Sequence, residues 1–116
     1  MARYPFAYLL TVSDDGRAHA VAVQPRWNGA GALVIDDTGR RTSSNATARP
    51  HVSLVWPPPT IDDYSLIADG DARADGSGLV FTPTKAVLHR PAPAPAATDG
   101  AACGSDCVPL RVGDAT

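Results

Sequence analysis

Short apolar runs of β-forming residues, each ended by a turn signal, are the feature that most limits what this chain can fold into. The first run, 8–12, is followed by an Asp-Gly turn at 13–17, and a second run occupies 18–24. Asn-Gly at 28–29, the strongest short hairpin signal, separates the second run from a third at 32–36. This succession predicts that the chain is mainly β.

Proline and glycine give the next two runs their shape. A fourth run, 51–56, ends at the three prolines 57–59, because proline cannot donate a ladder hydrogen bond. A fifth run extends from 64 to 74 and contains Gly70. A glycine inside a strand predicts either a bulge or a close approach of another backbone.

The last strand or two are predicted at 79–81 and 84–89, interrupted by Pro83. A single short helix is predicted at 46–49. About six to seven short antiparallel strands at regular spacing, with one short helix, are typical of a small β-barrel or sandwich.

The segment 39–45 is the part of the chain whose chemistry indicates a ligand. Arg40 and Arg41 place two guanidiniums beside three hydroxyls, directly before the predicted helix. Free N–H groups and the positive dipole end at a helix start favour an anion, and the planar guanidinium matches phosphate oxygens. These residues fit either a phosphate pocket or a solvated polar loop in which Thr42 or Ser43 is an ordinary N-cap.

Length and charge argue against several classes of function. The chain has 116 residues and a net charge of −2, with charges of both signs mixed along it. It has no basic block or basic-aromatic stripe, so no nucleic-acid partner is expected. No apolar run approaches the roughly 20 residues that cross a bilayer, and no secretory signal pattern opens the chain, so we expect a cytoplasmic location without a membrane partner.

The apolar content of the predicted strands bears on assembly. A single domain of this size buries about two-thirds of its unfolded surface. Large apolar groups at Val52, Leu54, Trp56 and Leu66, beside the prolines 57–59, exceed what a thin barrel is expected to hide. We therefore expect a homodimer, the commonest closed assembly of identical chains.

The C-terminal part of the chain has a different composition. Residues 91–100 are rich in Ala and Pro, as in extended linkers, so we predict a domain at 1–90 followed by a linker and tail at 91–116. Cys103 and Cys107 are too few for a tetrahedral zinc site, and no metal is expected. We expect both thiols to move independently of the barrel, so that they can close a disulfide or cover a pocket.

The order and spacing of these elements resemble the pyridoxamine-phosphate oxidase-like proteins, a family of flavin-binding split barrels. The matching segments are 7–12, 15–19, 39–42 and 49–54, and the resemblance extends over about residues 7 to 90. It implies a split β-barrel that binds flavin mononucleotide (FMN) between two subunits. The C-terminal Arg-x-His-type motif of the true oxidases is not evident, so the oxidase activity itself is not implied.

The resemblance also implies where the cofactor phosphate is held. Counted back from the proline at the start of the fourth strand, the phosphate-binding positions fall on Arg41 and Thr42, flanked by Gly39 and Arg40. Thr42 stands where many members of the family have lysine. We expect Arg40 to supply the missing charge.

The second strand, 21–24, corresponds to the family's contact with the isoalloxazine ring. Gln24 is its only polar side chain and is either a ring contact or an exposed strand residue. His19 either faces the cofactor or is a half-buried strand histidine, and Lys85 either meets a phosphate or substrate acid or lies at a solvated strand end. The expected cofactor-binding residues are Val23, Gln24, Arg40, Arg41, Thr42, Ser43 and Lys85.

We therefore expect an FMN-binding oxidoreductase that acts on a small-molecule substrate, in which the flavin performs the hydride or electron transfer. The sequence identifies no catalytic acid or base, no Ser/His/Asp arrangement and no Gly-rich dinucleotide fingerprint. Two alternatives stay open. One is a deazaflavin-dependent reductase, which would need a more open, basic groove, and the other is a non-catalytic flavin or small-ligand binding protein.

Overall fold

Residues 4–91 and 105–110, the part of the chain that the computed structural model describes, form one antiparallel sheet of eight strands and one helix. In chain order the elements are β1 (Ala7–Val12), β2 (Ala18–Val23), β3 (Arg26–Trp27), β4 (Leu33–Ile35), α1 (Arg40–Ala48), β5 (His51–Trp56), β6 (Ser65–Asp75), β7 (Gly78–Pro91) and β8 (Ser105–Leu110). The mainly β architecture with a short helix is confirmed. The strands β3 and β8 add to the runs that the sequence predicted.

The order of the strands explains how the sheet closes. Across the sheet the strands follow the order β2-β1-β5-β6-β7-β4-β3, and β8 pairs with another part of β7. The terminal strands β2 and β3 are separated in the chain only by Gln24 and Pro25. Because two residues cannot span a flat sheet of this width, the sheet curls so that the end of β2 lies near the start of β3, as in a split barrel.

The sheet is built around the long hairpin of β6 and β7. Its register shifts once, because Asp69 faces Lys85 whereas Gly70 faces Pro83, so that Thr84 is an extra residue on β7. The bulge predicted at Gly70 is therefore confirmed.

The prediction that Pro83 interrupts the last strand is wrong, since β7 runs without a break through this residue. Pro83 lacks an N–H group, but it lies at the bulge, where the ladder is already open. The Thr84 hydroxyl donates to the Asp69 carbonyl oxygen at 3.2 Å and so links the two strands at this point.

The inner face of the curled sheet carries the hydrophobic core, and α1 packs against it over β1 and β6. Val52, Leu54, Trp56 and Leu66 all belong to this core, with at most 5% of each residue exposed. The expectation that these residues need a second chain to cover them is therefore wrong. The curl of the sheet, which no local pattern reveals, gives them an interior.

The outer face of the same sheet carries a different set of apolar side chains. Cross-strand pairing brings five of them into line across five strands, in the order Ala22, Tyr8, Val55, Ile67 and Val87. None belongs to the hydrophobic core, and Tyr8 is 42% exposed. We call this set the outer apolar row.

Part of the predicted tail belongs to the sheet. β8 is antiparallel to β7, and the Cα atom of Cys107 lies opposite that of His89. The prediction that Cys107 moves independently of the barrel is therefore wrong for its backbone. Cys103 and most of the predicted linker lie outside the described residues, and the domain boundary at residue 90 stays a prediction.

The bulge leads to a test of the fold. A Cβ atom at Gly70 would lie 2.8 Å from Phe81 Cζ and 2.9 Å from Pro83 Cα, and it would overlap the carbonyl oxygen of Thr82. We expect Gly70→Ala to lower the free energy of unfolding by about 3 kcal/mol, because backbone atoms cannot move aside. Denaturant titration measures this.

The control is Gly29→Ala, where an added Cβ meets no atom within 4 Å and only the positive φ of 80° is unfavourable. It should cost about 1 kcal/mol. Equal losses in the two variants would contradict the close approach at Gly70.

Candidate functional site

An open cleft of about 810 Å³ lies between the start of α1 and the turn that joins β1 to β2. One wall is formed by residues 13–15 and 17–19, and the other by Arg40, Arg41, Ser44 and Asn45. Two segments that are far apart in the sequence therefore meet at one end of the barrel.

The helix begins earlier than the sequence predicts. Its N-cap is Gly39, with φ of 85° and no side-chain hydrogen bond, so the prediction of Thr42 or Ser43 as the N-cap is wrong. The positive φ, which glycine adopts without strain, turns the chain directly into the helix. The Ser43 hydroxyl instead shares a 2.9 Å hydrogen bond with the hydroxyl of Thr38.

The acidic side chains of the cleft are neutralised by neighbouring arginines. Asp15 lies 3.5 Å from Arg17, and Asp14 accepts a hydrogen bond from Arg49 at 2.8 Å. Both pairs are exposed and individually weak. They nevertheless direct the carboxylates of the β1–β2 turn toward cations of the protein.

Arg40 and Arg41 differ from these arginines. Both are exposed in the first turn of α1, and within residues 4–91 and 105–110 neither makes an ion pair or a side-chain hydrogen bond. The first N–H groups of a helix also have no intrahelical partner. Two uncommitted guanidiniums beside a helix start form a site for an anion of two or more oxygens.

His19 and Asn45 complete the cleft near these arginines. His19 is half-buried, so it is both a strand histidine and a cleft residue. Asn45 is 5% exposed. The sequence did not single out Asn45, because the predicted helix began only after it.

A second cavity, of about 560 Å³, lies at the other end of β2. Val23 and Gln24 line it together with Phe6, Asp36 and Asp37. Gln24 is exposed and Val23 packs partly against the core.

Asp36 in this cavity is held by Arg26, whose Nε and Nη2 atoms each donate to the carboxylate at 3.2 Å. Asp37, the other carboxylate of the cavity, makes no ion pair with any described residue. The cavity therefore combines an amide, an aromatic ring and a carboxylate.

β2 connects the two cavities. Ala18 and His19 line the first, and Ala22, Val23 and Gln24 line the second. At about 3.3 Å per residue, the four-residue step along this strand from His19 to Val23 is about 13 Å. Since β2 is the terminal strand of the sheet, its outward N–H and C=O groups have no strand partner within the described residues.

The other expected site residues lie elsewhere. Thr42 is 1% exposed and Ser43 is half-buried, so neither presents an open hydroxyl to the cleft. Lys85 is exposed on β7, opposite Asp69 and four strands along the sheet from β2. The structure thus brings Arg40 and Arg41 together but separates Lys85 from them within one chain.

The described residues contain neither a membrane-spanning helix nor a metal-ligand cluster. No helix among them is long and apolar enough to span a bilayer. No group of three or more His, Cys, Asp or Glu side chains among them is placed to hold a metal ion.

Comparison with known sequences finds two relatives. The chain is 40% identical to the uncharacterized proteins Mb0449c of Mycobacterium bovis and MT0457 of Mycobacterium tuberculosis, over 94% of this chain and 87% of each relative. No protein-family model matches the chain.

Comparison with solved structures finds the same fold in distant proteins. An F420 reductase matches with a TM-score of 0.58 and 19% identity, over 72% of this chain and 90% of that one. A pyridoxamine 5'-phosphate oxidase-related, FMN-binding protein from Nostoc punctiforme matches with a TM-score of 0.58 and 11% identity, over 93% of this chain and 88% of that one. At such identities the likeness shows the fold alone, and it confirms the split barrel.

Proposed function

We propose that this chain, which belongs to the family of the mycobacterial proteins Mb0449c and MT0457 and has the pyridoxamine-phosphate oxidase-like split-barrel fold, binds FMN and acts as an oxidoreductase on a small-molecule substrate. The observation that carries the proposal is the pair of uncommitted guanidiniums, Arg40 and Arg41, in the cleft at the start of α1. A phosphate monoester is the ligand group that this donor set fits best.

The rest of the ligand follows from the path of β2. If the phosphate of the ligand lies at Arg40 and Arg41, the rest of the ligand must extend about 13 Å along β2 to reach Val23 and Gln24. A ring joined to a phosphate by a flexible chain suits this distance. The outward backbone groups of β2 offer both donors and acceptors. The amide-like edge of an isoalloxazine ring needs both.

A bound flavin would supply the hydride or electron transfer. Arg40 and Arg41 would hold the phosphate, and Gln24 would contact the ring. The protein's share of the chemistry is binding and orientation, because no described side chain of either cavity forms a recognisable acid–base pair.

A deazaflavin is the second candidate cofactor. The cleft is open, and its cationic side chains extend from Arg17 on one wall to Arg41 on the other. This is the open, basic groove that a deazaflavin with an anionic chain would need. An F420 reductase is also among the proteins that share the fold.

A homodimer is part of the proposal. The outer apolar row leaves Tyr8 exposed and Val55, Ile67 and Val87 half-buried, on a face that the described residues do not fully cover. Lys85 lies two residues before Val87 on the same face of β7. A partner seated on this face would receive Lys85 as a cation for its own cleft, since Lys85 does not line the cleft of its own chain.

The identity of the cofactor is tested on the purified protein. Heat-released ligand should have the mass of FMN. Release of flavin adenine dinucleotide, or failure to bind any added flavin at micromolar concentration, contradicts the proposal. A deazaflavin mass selects the second candidate.

The phosphate site is tested by titration of flavin fluorescence. Arg41→Ala should weaken FMN binding by about 1.5–3 kcal/mol, the range for a charge-assisted hydrogen bond, and Arg40→Ala by a similar or smaller amount. The control is Arg73→Ala, an exposed arginine of β6 that lines neither cavity. If both cleft variants bind FMN as tightly as the parent does, the two arginines do not hold the phosphate and are only the first residues of the helix.

The shared site is tested with mixed dimers. Light scattering at low micromolar concentration should find a dimer, which Val55→Glu and Ile67→Glu should dissociate, whereas Ser77→Glu in the β6–β7 turn should not. If Lys85 acts on its partner's cofactor, a dimer of one R41A chain and one K85A chain regains one tight FMN site. If Lys85 acts within its own chain, both sites of the mixed dimer stay weak. A parent that binds FMN as a monomer refutes the shared site.

A further inference from the structure

Two side chains at the C-terminal end of α1 link the helix to the opposite wall of the cleft. Asn45 lies in the last turn of α1 and Arg49 is the C-cap that follows it, and both side chains reach β1 and the β1–β2 turn. Together they make hydrogen bonds to four consecutive residues, 11–14, of β1 and the following turn. We call these two side chains the Asn45–Arg49 clamp.

Asn45 forms the buried half of the clamp. Its Nδ2 atom donates to Thr11 Oγ1 at 3.1 Å and to Ser13 Oγ at 3.3 Å. Thr11 is 1% exposed, so this contact lies inside the protein, whereas Ser13 reaches the cleft wall. An interior hydrogen bond of this kind is costly to break without replacement.

Arg49 forms the outer half. Its Nε atom donates to the carbonyl oxygen of Val12 at 2.8 Å, and its Nη2 atom donates to Asp14 Oδ1 at 2.8 Å. The first contact fixes the end of β1. The second holds a carboxylate of the cleft wall on a cation that lies outside the lining of the cleft.

Both halves of the clamp tie the helix wall of the cleft to its turn wall. Arg40 and Arg41 stand on the helix, and Asp14 and Asp15 stand on the turn, so the position of the turn decides how close negative charge comes to the anion site. A turn released from Arg49 would leave Asp14 free to approach the helix arginines. Such a carboxylate would compete with a ligand phosphate for the same guanidiniums.

We infer that the Asn45–Arg49 clamp is a positioning device that determines the preference of the cleft for a phosphate-bearing ligand over the same ligand without its phosphate. This inference rests on the proposed function, since it concerns the same cleft. Asn45 and Arg49 act by holding the β1–β2 turn and its carboxylate in place. Neither is assigned a contact with the phosphate.

The experiment compares FMN with riboflavin, which has the same ring and chain but no phosphate. The readout is the ratio of the riboflavin Kd to the FMN Kd in the full-length chain, together with the melting temperature. We expect Arg49→Gln to lower the ratio about fivefold, the upper range for an exposed charge interaction, and less at high salt. Asn45→Ala and Thr11→Val should lower it too, although Thr11 does not line the cleft.

Asp14→Asn is the matched control at the other end of the ion pair. Its amide oxygen still accepts from Arg49, but the negative charge is gone, so the ratio should stay at the parent value or rise. Arg49→Lys keeps the positive charge and loses the second donor nitrogen, so its Kd ratio should lie between those of the parent and Arg49→Gln. A purely structural clamp would lower the melting temperature in these variants and leave the ratio unchanged, which overturns the inference. The inference is also overturned if the Kd ratio falls as much in Asp14→Asn as in Arg49→Gln.

Inorganic pyrophosphate separates this inference from the proposed function. If the parent binds neither flavin, the proposed function has failed, and the clamp is then judged by calorimetry with pyrophosphate alone. Weaker pyrophosphate binding in Arg49→Gln and Asn45→Ala, with parent-like binding in Asp14→Asn, supports the clamp. Equal binding in all four proteins overturns it.

Discussion

The bulge in the β6–β7 hairpin is the constraint on which the rest of the structure depends. These are the two longest strands, and β7 carries β4 on one part of its outer edge and β8 on another, while β6 carries β5. One extra residue, Thr84, opposite the Gly70 position bends the hairpin and increases its twist. A bent central hairpin curls the strands on both sides toward each other, which brings the end of β2 near the start of β3 and gives the barrel an interior. The cleft depends on this curl, because it opens where α1 caps the end of that interior.

The parts of the fold that the sequence predicted are those with a local cause. Asp-Gly and Asn-Gly turns and the proline stop at 57–59 act over a few residues, and the strands that they delimit were confirmed. The errors came from tertiary compensation. Pro83 continues a strand because its partner is a bulge, and Trp56 is buried because the sheet curls around it. Neither effect leaves a mark on the surrounding sequence, and β8 was not predicted because it follows the linker-like stretch 91–100 instead of a turn signal.

In the candidate site, too, the sequence predicted the residues with a local signal and not those placed by tertiary contacts. Arg40 and Arg41 were found because two adjacent guanidiniums near a helix start are unusual in themselves. Of the opposing wall, 13–15 and 17–19, the sequence indicated only His19, because the hydrogen bonds of Asn45 and Arg49 that link this wall to the helix join residues far apart in the chain. Those two residues leave no periodic pattern in the sequence, because Asn45 lies in the last turn of the helix whereas Arg49 is its non-helical C-cap. The N-cap was misassigned because Ser and Thr are the usual N-cap residues, and here a positive φ replaced them.

The terminal strand β2 links the fold to the proposed ligand. An edge strand is normally protected by lysine, proline or a bulge, and β2, with the sequence AHAVAV, contains neither lysine nor proline. Its alanines are exposed, and its outward backbone groups have no partner strand within the described residues. A ligand that lies along β2 would occupy these groups and cover the edge, so binding would supply the protection that the sequence of the strand lacks. Because such a ligand binds only the folded chain, it would also stabilise the barrel by mass action. The same backbone groups that leave β2 open to unwanted pairing are thus those that let it hold a flat, amide-edged ring.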